Sequence, residues 1–172
     1  VNGLIAGSIY ALVASGFSLI YFTNKFVHFA HGGVISISAY AFYWFFSYIK
    51  FDFYLAGVLT IIFSTFVGWV LFQSIYTPLR EKKASSSILL VASIAILIFL
   101  ESLGLLLFGA DVKTINFIQI EQGLDILGAL ITPLQIFIIL ISSALFLSLH
   151  FFMKRSKLGM AMRAVSDNKD MA

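Results

Sequence analysis

The chain has no cysteine, two prolines, and charged residues at only 11% of its 172 positions, about half the share usual in a soluble domain. Each scarcity excludes something. Without cysteine there is no disulfide framework, no thiolate metal site and no cysteine nucleophile, and the redox compartment stays unreadable. No glycine-rich loop of the GxxxxGK[ST] kind occurs, so the chain carries no phosphate cradle of that type. Ser, His and carboxylates are present, but no spacing on predicted helices activates a nucleophile, and no catalytic residue is expected.

What remains is apolar: 60% of residues are hydrophobic and the mean hydropathy is +1.01. A soluble domain of this length cannot hide so much apolar surface. Runs of roughly 20 residues, long enough to cross the hydrocarbon core as helix, recur about five times, near residues 1–22, 33–49, 53–75, 87–109 and 133–152. A transmembrane barrel would show alternating segments of about ten residues, and these runs are continuous. The expected fold is all-α, a polytopic transmembrane helical bundle. The first span lacks a basic leader and a cleavage site, so it is read as a span and not as a signal peptide.

Charge sets the expected orientation. Arg80, Lys82 and Lys83 follow the third span, and Lys154, Arg155, Lys157, Arg163 and Lys169 follow the fifth. Basic residues mark cytoplasmic ends, so both segments, with Lys25, are placed inside, and only Lys50 and Lys113 of the eleven fall outside. The formal charge of +3 is thereby explained by topology, and nucleic acid is not an expected partner. The short turn at Lys50 to Asp52 predicts an antiparallel hairpin of spans two and three. Residues 110–132 read as an extracytoplasmic excursion with some helix, closed by Thr132 and Pro133 as N-cap and first helical residue. Tyr40, Tyr43, Trp44, Tyr48, Tyr54, Trp69 and Tyr76 crowd span ends, and most of them are expected as interfacial anchors and not as binding residues.

Polar residues inside this frame are the candidates for function. Gly3, Gly7, Ala11 and Ser15 stand four apart and form a small-residue stripe suited to close helix packing. After the first span, Thr23, Asn24, Lys25, His28 and His31 interrupt the apolar pattern, which resumes at Val34. Irregular backbone at membrane depth survives only where protein buries it or a cavity faces it. His28 and His31, three apart, admit three readings: a metal site, hydrogen bonding within the bundle or at its interface, or the lining of a transport path. Without cysteine or a nearby carboxylate pair no tetrahedral shell is completed, and no metal site is expected. Glu101 interrupts ILIFLESLGLLLFG. Ionised and facing lipid it would cost several kcal/mol, so it is read as protonated, paired, or facing protein or water. The tail after residue 152 has Leu158, Met162 and Val165 on one helical stripe, an amphipathic segment suited to a membrane surface or a docking partner.

Three blocks in one order, GLIAGSIYALVASGFSLIY followed by FAHG at Phe29 to Gly32, ILIFLESLGLLLFG, and SKLGMAMRAVSDNKDMA, resemble the branched-chain amino acid ABC transporter permeases of the LivH type. The resemblance implies a permease subunit of a bacterial uptake system in the cytoplasmic (inner) membrane, multi-pass, its C-terminal end cytoplasmic. Leucine, isoleucine and valine are the implied substrates, with other amino acids, urea or short amides as competitors. Implied partners are a second permease subunit, cytoplasmic ATP-binding subunits, a periplasmic or lipid-anchored solute-binding protein, and the lipid bilayer. No cofactor is expected on this chain, ATP and magnesium belonging to the partner ATPase. The family's central block falls on Phe29, Ala30, His31 and Gly32, which with His28 and Glu101 are assigned to the translocation path or bundle core. The tail motif falls on Gly159, Arg163, Ala164, Asp167 and Ala172, assigned to ATPase docking within residues 153–172. Residues 1–172 are expected to form one permease domain, cut at both ends and lacking its C-terminal half. The chain departs from the family's pattern at Phe22 and Lys25, where glycines are usual, at His28, where asparagine is usual, at Gly33, often acidic, and at Glu101, often glutamine. A secondary transporter or channel with Glu101 as proton site is the alternative of another class.

Overall fold

The computed structural model describes residues 2–115, 124–126 and 129–167. Its elements run α1 (Asn2–Asn24), α2 (Ala30–Tyr43), a π-helical turn (Trp44–Tyr48), α3 (Phe53–Leu71), a second π-helical turn (Phe72–Tyr76), α4 (Thr77–Glu81), α5 (Ser86–Phe108), β1 (Leu124–Ile126), β2 (Ala129–Ile131), α6 (Pro133–Arg155) and α7 (Lys157–Asp167). Among the described residues four helices are long and apolar enough to cross a membrane: Gly3–Asn24, Phe53–Glu81, Ser86–Phe108 and Gln135–Arg155. They match four of the five expected spans, and the third runs on to Glu81 through its π turn. The expected span at 33–49 is α2 with its π turn, and it is not among those four.

The chain divides into two compact units, residues 1–25 with 118–172, and residues 26–117. In the first, α1 packs on α6 and α7. In the second, α2 lies at the centre, against α5 on one side and α3 on the other. Its buried residues, Ala30, Gly33, Ile37 and Ala41, repeat at helical spacing, as do Leu89, Ser93, Ile96, Leu100 and Gly104 on α5. Glycine makes this seam close. A methyl group at Gly33 would lie 3.1 Å from Leu100 Cδ1 and 3.3 Å from the Leu97 backbone, and one at Gly104 3.2 Å from the Tyr40 ring. Tyr40 in turn stacks on Phe108 at 4.8 Å.

Hydroxyls within the spans are satisfied locally. Ser8, Ser15, Thr23, Ser38, Thr60 and Thr65 each donate to a carbonyl three or four residues back, at 2.6–2.8 Å, which hides a polar group from lipid at little cost. Asp52 caps α3 by accepting from the Tyr54 amide at 3.2 Å. Thr132 opens α6 as expected, and its amide donates to Gln135 Oε1 at 3.0 Å, an arm of a capping box.

Three lysines take the left-handed conformation usually left to glycine: Lys25, Lys50 and Lys83, with φ of 58°, 64° and 54°. Each follows a helix end. Beyond Lys50 the Phe51 amide reaches the Phe45 carbonyl at 3.1 Å, and beyond Lys83 the Ala84 amide reaches that of Leu79 at 3.0 Å. The second is a Schellman closure and the first its analogue one residue longer after a π turn, and a cation there also favours the negative end of the helix dipole.

Two details go beyond the sequence reading. Within the 110–132 excursion, Leu124–Ile126 and Ala129–Ile131 are short antiparallel strands pairing Leu124 with Ile131 and Ile126 with Ala129; residues 116–123, where the expected helix could fall, lie outside the described residues. Tyr76 is not an interfacial anchor. It is 3% exposed and belongs to the core, because the π turn ending at it rotates its ring inward toward Phe26. Tyr48, Tyr54 and Trp69 are exposed, as interfacial rings would be.

Candidate functional site

The interruption at Lys25–Phe29 is real: α1 stops at Asn24 and α2 starts at Ala30. Its first residue, Lys25, has a φ of 58°, in the left-handed region that favours glycine. The rest of the junction is held from outside. Ser93, on α5 and fully buried, accepts a hydrogen bond from the Phe29 amide at 3.2 Å. Its hydroxyl lies 2.7 Å from the Leu90 carbonyl and 3.3 Å from that of Val27. One side chain thus satisfies a backbone donor at a helix start where Phe29 offers no side-chain cap.

Around this clip, Phe26, Ala30, Tyr76, Leu89, Ile96 and Leu100 form one buried cluster. The rings of Phe26, His28 and Tyr76 meet pairwise at 5.1–5.8 Å. His28 Nδ1 and Tyr76 Oη are both buried, and neither has a hydrogen-bond partner among the described residues. Burial, with His31 nearby, pushes the His28 imidazole down to about 4, so it is neutral at ordinary pH. Unpaired buried polar atoms cost about 1–3 kcal/mol each and point to a site whose polar groups serve a water, a solute or a rearranged backbone.

The structure brings His28 and Ala30 into this cluster, Ala30 with no exposed surface. Phe29 and Gly32 are exposed, and His31 is half-buried. Glu101 lies elsewhere. It is exposed on α5, eight residues beyond Ser93, about 12 Å along the helix axis. It shares a face with exposed Val91, Ile94, Ile98 and Leu105. The stripe on α1 belongs to the other unit, and at Gly3 and Gly7 an added methyl would meet nothing described within 4 Å. Gly3, Gly7 and Ala11 are exposed, and Ser15 is half-buried.

The tail residues build a corner. Ser156, extended, ends α6 and starts α7, and its hydroxyl accepts from the Gly159 amide at 2.9 Å. A methyl group at Gly159 would fall 2.6 Å from the Phe152 and Met153 carbonyl oxygens; only glycine lets α7 fold back so tightly. Arg163 then donates to the Lys154 carbonyl at 3.2 Å, satisfying a free helix end. Ala164 and Asp167 lie on α7, and Ala172 lies outside the described residues. Sequence reasoning grouped Tyr76 with the interfacial rings and passed over Ser93, Gly104 and Ser156. The last two carry the faint signals of a glycine on an apolar stripe and a serine at a helix break. Among the described residues no three His, Asp or Glu side chains converge as metal ligands would.

Long apolar helices, a polar break clipped inside one unit, and an amphipathic helix bent back after a basic helix end define a multi-pass membrane protein built around an internal discontinuity. The chain belongs to the family described as branched-chain amino acid transport system, permease component, whose model matches residues 1–172. It is 29% identical to the high-affinity branched-chain amino acid transport system permease protein BraD of Pseudomonas aeruginosa and 28% identical to LivH of Escherichia coli; each alignment covers 99% of this chain and 59% of the relative. LivH of Salmonella typhimurium is 29% identical over the same shares. The chain therefore spans about 59% of the length of these relatives. No solved structure matches it.

Proposed function

We propose that the chain is a membrane-spanning permease subunit of an ATP-binding cassette uptake system that carries leucine, isoleucine and valine across the inner membrane. The family match over residues 1–172 carries this reading, and the names of the relatives supply the substrate class. ATP hydrolysis is assigned to cytoplasmic partner subunits and substrate delivery to a solute-binding protein, with a second permease subunit completing the pore. The chain's own work is then conformational. The Lys25–Phe29 junction, the π turn at Tyr76 and Ser93 form the discontinuity along which the solute path runs, and α7 is the element that takes up motion from the ATPase.

In this scheme Gly159 and Ser156 aim α7, while Arg163, exposed beyond its contact to Lys154, faces the ATPase. Arg163→Glu is expected to abolish leucine uptake and to weaken copurification of the ATP-binding subunit while the protein stays in the membrane. Unchanged uptake and copurification would remove the docking assignment. The C-terminal end is placed in the cytoplasm by its basic residues. With no native cysteine in these residues, Ala161→Cys is expected to react with an impermeant maleimide in inside-out vesicles and to stay unlabelled in right-side-out ones.

A further inference from the structure

The unit made of α2, α3 and α5 holds a cavity of about 820 Å³ that no step of transport described above uses. Its wall runs from Ile37 on α2 through Trp44 and Tyr48 on the π turn, with Phe63 opposite on α3, Phe108 at the end of α5 and Lys113 just beyond. From Ile37 to Tyr48 is eleven residues, about 16 Å at helical rise. The cavity is thus elongated along the helices and half open, apolar around Ile37 and flanked toward Tyr48 by aromatic side chains with polar tips. Such rings settle at the headgroup level of a bilayer.

The one charge in the described lining is that of Lys113. Its side chain, 25% exposed, approaches Asp111 only at 4.0 Å, and the Asp111 side chain is 93% exposed, so the long, partly solvated pair holds the ammonium weakly. Among the described residues no carboxylate lines the cavity. An amino acid zwitterion would find no anionic side chain in that lining for its ammonium, whereas an anionic head on a long apolar chain matches both the lysine and the apolar wall. The π turn contributes to the shape, since such turns interrupt regular helix where functional sites are built.

We propose that this cavity holds one acyl chain of an anionic phospholipid from the surrounding bilayer, its phosphate placed on Lys113. The assignment rests on the chain spanning a membrane and not on what it transports, so it stands or falls apart from the uptake reading. The test is native mass spectrometry of the assembled transporter in mild detergent, titrated with phosphatidylglycerol or phosphatidylcholine. One phosphatidylglycerol per chain is expected to be retained at a concentration at least fivefold lower than phosphatidylcholine. Lys113→Arg should keep that preference and Lys113→Glu should erase it. Lys113 lies beyond the packed helices, so both variants spare the α2–α5 seam. Equal retention of the two lipids, or an undiminished preference in Lys113→Glu, would overturn the proposal. Displacement of the bound lipid by free leucine would also overturn it, and would give the cavity to a transported solute instead.

Discussion

Two regions use small residues in opposite ways. On α1, Gly3 and Gly7 stand four apart, conspicuous in the sequence, yet an added methyl at either would meet nothing described within 4 Å. On the α2–α5 seam, Gly33 and Gly104 follow no such motif, yet each is buried against a neighbouring helix at 3.1–3.3 Å. Spacing reports that a helix has a shallow face; it does not report whether that face is filled. The seam is filled because both stripes are apolar but for Ser93, and that serine fastens the junction before α2 to α5.

Substitutions can break this contrast at graded strength. The largest effect is expected at Gly159→Ala, whose methyl would strike backbone at 2.6 Å; a loss of about 3 kcal/mol, the upper end for overpacking, should appear as a lower melting temperature in detergent and loss of the Arg163 contact. Gly33→Ala comes next, at about 1–3 kcal/mol, since Leu100 can yield but the Leu97 backbone cannot. Ser93→Ala is expected to cost about 1–2 kcal/mol, the penalty for stranding a buried amide, seen as faster hydrogen exchange at Phe29. Gly3→Ala and Gly7→Ala should cost nothing in thermal unfolding, the unobstructed methyl leaving only the helix-propensity gain of about 0.5–1 kcal/mol. If they cost as much as Gly33→Ala, the α1 stripe is packed in the assembled protein and the contrast belongs to the isolated chain alone.

Much of the fold was legible because lipid imposes a simple rule of length and polarity. The ends of α1, α5 and the start of α6 fall within about two residues of where apolar runs begin or stop, and the N-cap at Thr132 follows from its neighbour Pro133. The π turns were not legible. Nothing in WFFSY or FQSIY distinguishes them from α-helix, since aromatic and apolar runs of this kind satisfy either hydrogen-bond spacing. The site was half legible. Polar residues from Lys25 to His31 announced a break, and the family block fixed attention on Phe29 to Gly32. The side chain that holds the break was hidden: Ser93 reads like the serines that bond their own helix, and what separates it is a partner 64 residues away. Likewise Gly33 looked like a departure from the family, while in the structure an acidic side chain there would meet the α5 backbone. Gly159 and Arg163 were read as docking residues; their contacts add a second task, holding the corner that aims α7.

The Ser93 contact also constrains how the protein can be made. Its partner Phe29 leaves the ribosome 64 residues earlier, which at 5–20 residues per second is a wait of roughly 3 to 13 seconds. Throughout that interval the junction between the first two helices has been delivered to the membrane with its amide unsatisfied. Insertion of α5 is therefore the event that brings this partner to it, and α2, whose larger packing partner is α5, completes its seam only then.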